Sequence, residues 1–258
     1  MRPDTTMAPE WADQSSNYGA QFGGIYDALF PRDDSADRAA ERLVALGPPT
    51  GGRFVEFGVG TGRIALPLTA RGAAVTGVDL SPELLDQADR RAREAGLVLE
   101  LVRADIRDWV APEPADVAYC VCATISMLGS PVEHQQVVGN LAASVRPGGH
   151  VVVETHSPAR IRLLHRDSDT VSFRTPLAGS DTGLDTEARL AGDRWTVSYR
   201  WTDTQAHTAT EFSHLIEPAE LAALARRAGL DPVSTSSSWT GAGADPAAPT
   251  YISVFRKP

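Results

Sequence analysis

Val55-Glu56-Phe57-Gly58-Val59-Gly60-Thr61-Gly62-Arg63 is the stretch on which the fold turns. An apolar run from Arg53 ends at Phe57, glycine then takes every second position, and a helical apolar pattern follows to about Arg71. Glycines at a strand-to-helix turn let the main chain bend sharply and let a ligand approach without a β-carbon in the way. Such loops also follow strands for purely structural reasons, so the meaning of this one depends on its surroundings.

Those surroundings alternate regularly. Upstream, Asp33–Leu46 reads as a helix with Asp34 or Ser35 as cap, Ala36, Ala39, Leu43 and Leu46 on one face, and Gly47-Pro48-Pro49 as stop. Downstream, Ala74–Asp79 is a second strand, and Ser81-Pro82-Glu83 supplies a cap, a first-turn proline and an acidic first turn for a helix to about Ala95. Leu97–Val102 and Asp116–Cys122 are further strands, and Ser130-Pro131 caps a helix with Val137, Val138, Leu141 and Val145 at helical spacing. Pro147-Gly148-Gly149 turns the chain into a fifth strand, His150–Glu154. Near-continuous apolar strands alternating with amphipathic helices predict an α/β fold, a doubly wound, mostly parallel Rossmann-like sheet covered on both faces.

After about Ser157 the rhythm changes. Val171–Arg174, Gly183–Leu190, Arg194–Trp201 and His207–His214 read as strands, and in the third of them Trp195, Val197, Tyr199 and Trp201 share one face. The expectation is an antiparallel insert over 158–215. Glu217–Ala228 then resumes a helix, and Pro232–Trp239 and Tyr251–Phe255 return to the main sheet. Residues 1–17 read as a flexible start and 18–258 as a single domain.

The ligand follows from what stands beside the loop. Asp79 ends the strand about twenty residues on, where a carboxylate accepts both ribose hydroxyls of a nucleoside, and Leu80 can lie against an adenine face. A dinucleotide fingerprint would place a third glycine or alanine at position 63, where this chain has Arg63. Glu56 opens the loop instead. A carboxylate there repels a pyrophosphate and favours an ammonium group. The sequence contains no GxxxxGK[ST] run, which sets a P-loop aside.

These segments, with ADIRDW (104–109), ADVAYCVCATISML (115–128) and LAASVRPGGHVVVE (141–154), resemble the class I S-adenosylmethionine-dependent methyltransferases across roughly residues 18–258. The resemblance implies a seven-stranded sheet in the order 3-2-1-4-5-7-6 with the last strand antiparallel, and S-adenosylmethionine as cofactor. It places Glu56, Gly58 and Gly60 on the methionine part, Asp79 on the ribose, Leu80 on adenine, and Asp105 with the backbone of Ile106 on the adenine amino group. The Cys120–Ala123 strand end, with Cys122, would pass under the sulfonium. Tyr18 and Tyr26-Asp27 resemble an N-terminal lid whose tyrosines meet cofactor or substrate. The insert resembles the substrate-covering sheet of bacterial natural-product N- and O-methyltransferases. The implied substrate is a small molecule or short peptide. The chain departs from that pattern at Cys122-Ala123-Thr124, where an aromatic-Asn-Thr run is expected, so no role of that asparagine carries over.

Composition narrows the partners. A net charge of −9 and the lack of a dense basic face argue against nucleic acid, and no stretch approaches the roughly 20 apolar residues of a membrane span. The opening residues show no apolar signal core, so the expected home is cytoplasmic. Cys120 and Cys122 are too few for a structural zinc site, no metal is expected, and both read as small buried strand residues. Sheet edges in the insert could pair two copies into a homodimer.

Methyl transfer is an in-line displacement, so positioning supplies most of the catalysis, and a hydroxyl acceptor also needs a base within reach. His156, just beyond the fifth strand, is the leading candidate. His134, at the start of the helix after the fourth strand, is the second. Arg63 is a candidate for the methionine carboxylate. A cyclase or decarboxylase with a structural cofactor, and a regulatory protein that keeps the pocket, remain alternatives.

Overall fold

Short runs rich in Val and Ala build the central sheet, and the residues between them wind back over its faces as helices. The computed structural model describes residues 18, 19, 21, 22, 34–176, 183–202 and 206–258. The expected flexible segment 1–17 and the lid residues Tyr26 and Asp27 lie outside them. Helix α1 (Asp34–Val44) precedes β1 (Arg53–Phe57), α2 (Ala65–Ala70), β2 (Ala74–Asp79), α3 (Pro82–Glu94), β3 (Glu100–Arg103) and β4 (Ala115–Cys120). A single 3-10 turn (Thr124–Met127) leads to α4 (Pro131–Ser144) and β5 (Val145–His156). After the insert come α6 (Pro218–Arg227), β10 (Asp231–Ser236) and β11 (Thr250–Arg256).

Among the described residues the sheet has seven strands in the order β10-β11-β5-β4-β1-β2-β3. Neighbours from β3 to β5 pair parallel, and β11 is antiparallel to both β5 and β10. Read from β3, this is the expected order with the expected antiparallel last strand. Two apolar layers cover it. Ala36, Ala39 and Leu43 of α1 and Leu68 of α2 pack on one face, and Val137, Val138 and Leu141 of α4 with Leu221 and Leu224 of α6 pack on the other. Ser81 and Ser130 cap α3 and α4 through their hydroxyls, as the Ser-Pro pairs predict.

The insert begins with a helix that the periodicity does not reveal, α5 (Pro158–His165), capped by Ser157 Oγ. Strands β6 (Thr170–Pro176), β7 (Gly183–Ala191), β8 (Arg194–Thr202) and β9 (Ala206–His214) follow as a four-stranded antiparallel sheet in chain order. Its apolar face carries Leu184, Ala188, Val197, Trp201 and Ala209, all buried. Phe22 packs into that face, 5.7 Å from the Tyr199 ring in an edge-on contact, and the Tyr18 ring lies 4.6 Å from Phe22, tilted by 32°. The Gln21 side chain accepts from the Thr210 amide, so one edge amide of β9 is already occupied.

Several boundaries differ from expectation, among them the start of β3 at Glu100 rather than Leu97 and the end of β10 at Ser236 rather than Trp239. Strand β4 stops at Cys120 because Cys122 and Ala123 turn left-handed, with φ of 54° and 61°. Strand β5 starts at Val145 because Val145 pairs with Ala115 of β4, and Gly148 and Gly149 bond Lys257 across the Pro-Gly-Gly segment.

Candidate active site

The glycine loop, the end of β2 and the turn after β4 meet at the carboxyl-terminal edge of the parallel strands. This is where open α/β sheets bind ligands. They form a cavity walled by Tyr18, Gly58, Gly60, Asp79, Leu80 and Ser81 on one side. Asp105, Ile106, Cys122, Thr124, Met127 and Leu128 close it on the other.

Asp79 is the hinge of this arrangement. Its Oδ2 accepts from the Gly60 amide at 2.8 Å and its Oδ1 from the Ser81 amide at 2.9 Å. Burial raises its pKa, and those amides oppose the shift. Gly58 has φ of 80°, and a β-carbon there would stand 2.8 Å from Thr124 Oγ1 and 3.1 Å from Thr124 Cβ. The loop therefore needs glycine both for its conformation and for its packing against the β4 turn.

On the far wall Asp105 receives a fork from Arg107. Nε reaches both carboxylate oxygens at 3.0 Å and a terminal nitrogen reaches Oδ2 at 2.6 Å. Arg107 also donates to Glu133 Oε1 at 2.6 Å, which couples the cavity wall to the start of α4. These hydrogen bonds hold the Asp105 carboxyl below its ordinary range.

Glu56 is placed differently from the expectation. It is 2 % exposed and is not part of the cavity wall. The Tyr119 hydroxyl donates to its Oε2 at 3.1 Å, and burial pushes its pKa up to about 8. It braces the loop from beneath.

A second cavity opens beyond Cys122. Arg63, Cys122, Ala123, Glu154, His156 and Trp239 are among its walls. Cys122 lines both cavities. Arg63 donates to Ser35 Oγ at 2.7 Å and to Cys122 Sγ at 3.4 Å, so it lies in this second space rather than in the first. His156 is half-buried, meets Trp195 of the insert edge-on at 5.2 Å, and burial pushes its pKa down to about 4.

Two residues correct the expectations outright. His134 is fully buried, lines neither cavity, and packs edge-on against His214 at 5.1 Å. Its spacing of three and four residues from Val137 and Val138 is the available signal, because it puts the ring on the buried face of α4. Cys120 is the expected buried thiol, but Cys122 is exposed and lies past the strand. Thr124, Met127, Glu154 and Trp239 join the walls without being expected there. Thr124, Met127 and Glu154 stand inside the motifs that carry the resemblance, whereas nothing in the sequence marks Trp239. Among the described residues no three His, Cys, Asp or Glu side chains gather as a metal site. No helix there is long and apolar enough to cross a membrane.

Residues 54–149 match a family model described as a methyltransferase domain. That match places a methyltransferase domain over those residues, inside the sheet order that the class I resemblance implies. The phosphatidylethanolamine N-methyltransferase of Cereibacter sphaeroides is 36% identical over 51% of this chain and 63% of its own length. A Saccharopolyspora spinosa dTDP-4-amino-2,3,4,6-tetradeoxy-D-glucose N,N-dimethyltransferase is 32% identical over 57% and 59%. An S-adenosyl-L-methionine-dependent Diels-Alderase of Talaromyces variabilis is 31% identical over 51% and 47%. The matches span less than two thirds of the length of these relatives. Among solved structures, the CcbJ methyltransferase from Streptomyces caelestis superposes with a TM-score of 0.84 at 22% identity, over 94% of this chain and 98% of that one. The S-adenosylmethionine-bound amino pentose methyltransferase of calicheamicin biosynthesis from Micromonospora echinaspora gives 0.69 at 20% identity, over 92% and 96%.

Proposed function

We propose that this chain is an S-adenosylmethionine-dependent methyltransferase acting on a nitrogen or oxygen of a small molecule, with an amine favoured. The observation that carries the reading is the shared wall: Cys122 stands between the cavity holding Asp79 and Asp105 and the one holding His156. The first cavity fits a nucleoside. It offers a carboxylate at the end of β2, apolar Leu80 and Ile106 for a base, and a loop whose glycines leave the main chain open.

In this reading Asp79 binds the ribose hydroxyls, Leu80 and Ile106 sandwich the adenine, and Asp105 with the Ile106 backbone meets the adenine amino group. Gly58, Gly60 and Cys122 border the methionine end, and Glu56 acts on it through the loop it supports. Tyr18, on the cavity wall, meets the cofactor from the lid side. When bound, S-adenosylmethionine supplies an electrophilic methyl group on a sulfonium that loses its charge in the transfer. The chain's own task is to exclude water and align the acceptor. His156, uncharged at neutral pH, accepts a hydrogen bond from the acceptor. An imidazole with a pKa of about 4 is far too weak a base to match an alcohol, but it orients an amine N–H well. A neutral amine needs no base to attack, which is why nitrogen is favoured. N-methyltransferases among the relatives agree with it, and the ubiquinone biosynthesis O-methyltransferases among them keep oxygen acceptors in the search. The insert serves as a lid, and natural-product metabolism is the setting that the relatives favour.

The test is formation of S-adenosylhomocysteine with panels of small amines, amino sugars and phenols, alongside calorimetric titration with S-adenosylmethionine, S-adenosylhomocysteine and NADH. A folded chain that binds neither of the first two would sink the reading. The Diels-Alderase among the relatives supports one alternative, a cofactor that is bound but not consumed. Binding with product formation and no S-adenosylhomocysteine would mark it.

A further inference from the structure

We propose that Glu154 is a positioning residue that clamps the turn between the two cavities. The proposal rests on the methyltransferase reading only for its catalytic consequence. Cys122 and Ala123 are consecutive residues with positive φ, 54° and 61°, and neither is glycine. L-residues avoid that region, so such a pair persists only where its surroundings hold it.

The main-chain amides of both residues of the pair are held by a single residue. Glu154 Oε2 accepts from the Cys122 amide at 3.1 Å, and the Glu154 main-chain carbonyl accepts from the Ala123 amide at 3.3 Å. The other carboxylate oxygen, Oε1, accepts from Trp239 Nε1 at 3.1 Å and Thr250 Oγ1 at 3.5 Å. The side chain is thereby fixed from the neighbouring strand β11 and from the loop after β10. Beyond the clamp, the Ser126 amide donates to Ala123 O at 2.9 Å, and Thr124 packs against Gly58. A shift of the clamped pair therefore reaches the glycine loop through Thr124 and the cavity wall through Cys122. Glu154 lies on the wall of the second cavity only, so its influence on the first is carried by the turn.

The test compares Glu154→Ala, Glu154→Gln and Glu154→Ala combined with Cys122→Gly and Ala123→Gly. Two readouts are used: amide hydrogen exchange over residues 121–124 and calorimetric binding of S-adenosylhomocysteine. Glu154→Gln keeps an oxygen for the Cys122 amide but turns its NH2 toward Trp239 Nε1–H, so it is expected to fall between wild type and Glu154→Ala in both. In Glu154→Ala the Cys122 and Ala123 amides should exchange about tenfold faster or more, with strands β1 and β4 unchanged. Binding should weaken about tenfold or more through misplacement of the turn. Glycines at 122 and 123 tolerate positive φ, so the combined variant should recover about fivefold or more of the binding. Wild-type exchange rates in Glu154→Ala would overturn the proposal. So would a folded combined variant that recovers nothing. If Glu154→Ala fails to fold, Glu154→Asp, which withdraws the carboxylate by one methylene, is read by the same criteria. A wild-type chain that binds no S-adenosylhomocysteine would count against the methyltransferase reading, while the exchange comparison still decides the clamp.

Discussion

The Asp79 carboxylate accepts the Gly60 amide at 2.8 Å, and so ties the end of the second strand to the middle of the glycine loop. A group assigned to the ligand is thus also a structural brace. Asp79→Ala should weaken S-adenosylmethionine and S-adenosylhomocysteine binding at least about tenfold, or roughly 1.4 kcal/mol. It should also cost about 1–3 kcal/mol of stability, because the Gly60 and Ser81 amides lose their acceptor. Asp79→Asn keeps one acceptor oxygen but turns its NH2 toward the other amide, so it should lose stability by about one of the two hydrogen bonds and still bind poorly. Calorimetry and urea unfolding of the same samples separate the two effects.

Gly58 and Thr124 should show strong coupling. A β-carbon at position 58 would press on the Thr124 side chain and impose a φ of 80° on an L-residue. Gly58→Ala should cost about 1–2 kcal/mol for the backbone alone, plus about 1–3 kcal/mol for the overpacking. Thr124→Ala in that background should return part of the second component. A double-mutant cycle by denaturant unfolding that shows no coupling would mean the loop and the β4 turn do not pack as described.

What the sequence discloses here is what depends on local pattern. The bounds of β2 agree to the residue, because an apolar run is fenced by glycine on one side and Ser-Pro on the other. The insert strands agree within about two residues, because one apolar face imposes strict alternation. Helix α5 escapes because it is short and only Pro158, Ile161 and His165 are buried. The site is legible wherever a residue acts from its own strand end, as Asp79 and Leu80 do. It is illegible where the partner is far away in the chain. Nothing near Glu56 announces Tyr119, and nothing near Cys122 announces the carboxylate of Glu154.

The buried Glu56 carboxyl should make the cofactor-free fold weaken as pH rises. Its pKa rises from 4.5 to about 8 on folding, chiefly through burial. The fold therefore favours the protonated form. That contribution is complete below the unfolded value and is lost progressively as pH climbs through about 8. Its size is on the order of a few kcal/mol, since each tenfold change in proton affinity is worth about 1.4 kcal/mol. Urea midpoints should fall between about pH 5 and pH 8.5 in the wild type and fall less in Glu56→Gln, which cannot ionise. Asp79, raised in the same direction, leaves a residual slope. Equal slopes in the two proteins would show that Glu56 is solvated rather than buried.

His156 offers the sharpest separation between binding and turnover. It lines the second cavity and not the first, so His156→Ala should leave S-adenosylhomocysteine affinity within about threefold of wild type, as expected for a group without cofactor contacts. The rate with an amine acceptor should drop about tenfold or more, the scale of one lost positioning hydrogen bond. The pH dependence carries more information than the drop. With its pKa held down at about 4, the imidazole is already neutral across the working range, so it contributes no inflection between about pH 5.5 and 8, the window where an unperturbed histidine near 6.5 would titrate. A free amine acceptor still imposes its own rising limb as it loses a proton. That limb should persist in His156→Ala and move with the basicity of the amine chosen. An inflection near about pH 6.5 that vanishes in His156→Ala and ignores the choice of amine would mean the ring is solvated in the working enzyme. It would then be a true acid–base catalyst, and oxygen acceptors would become the better search.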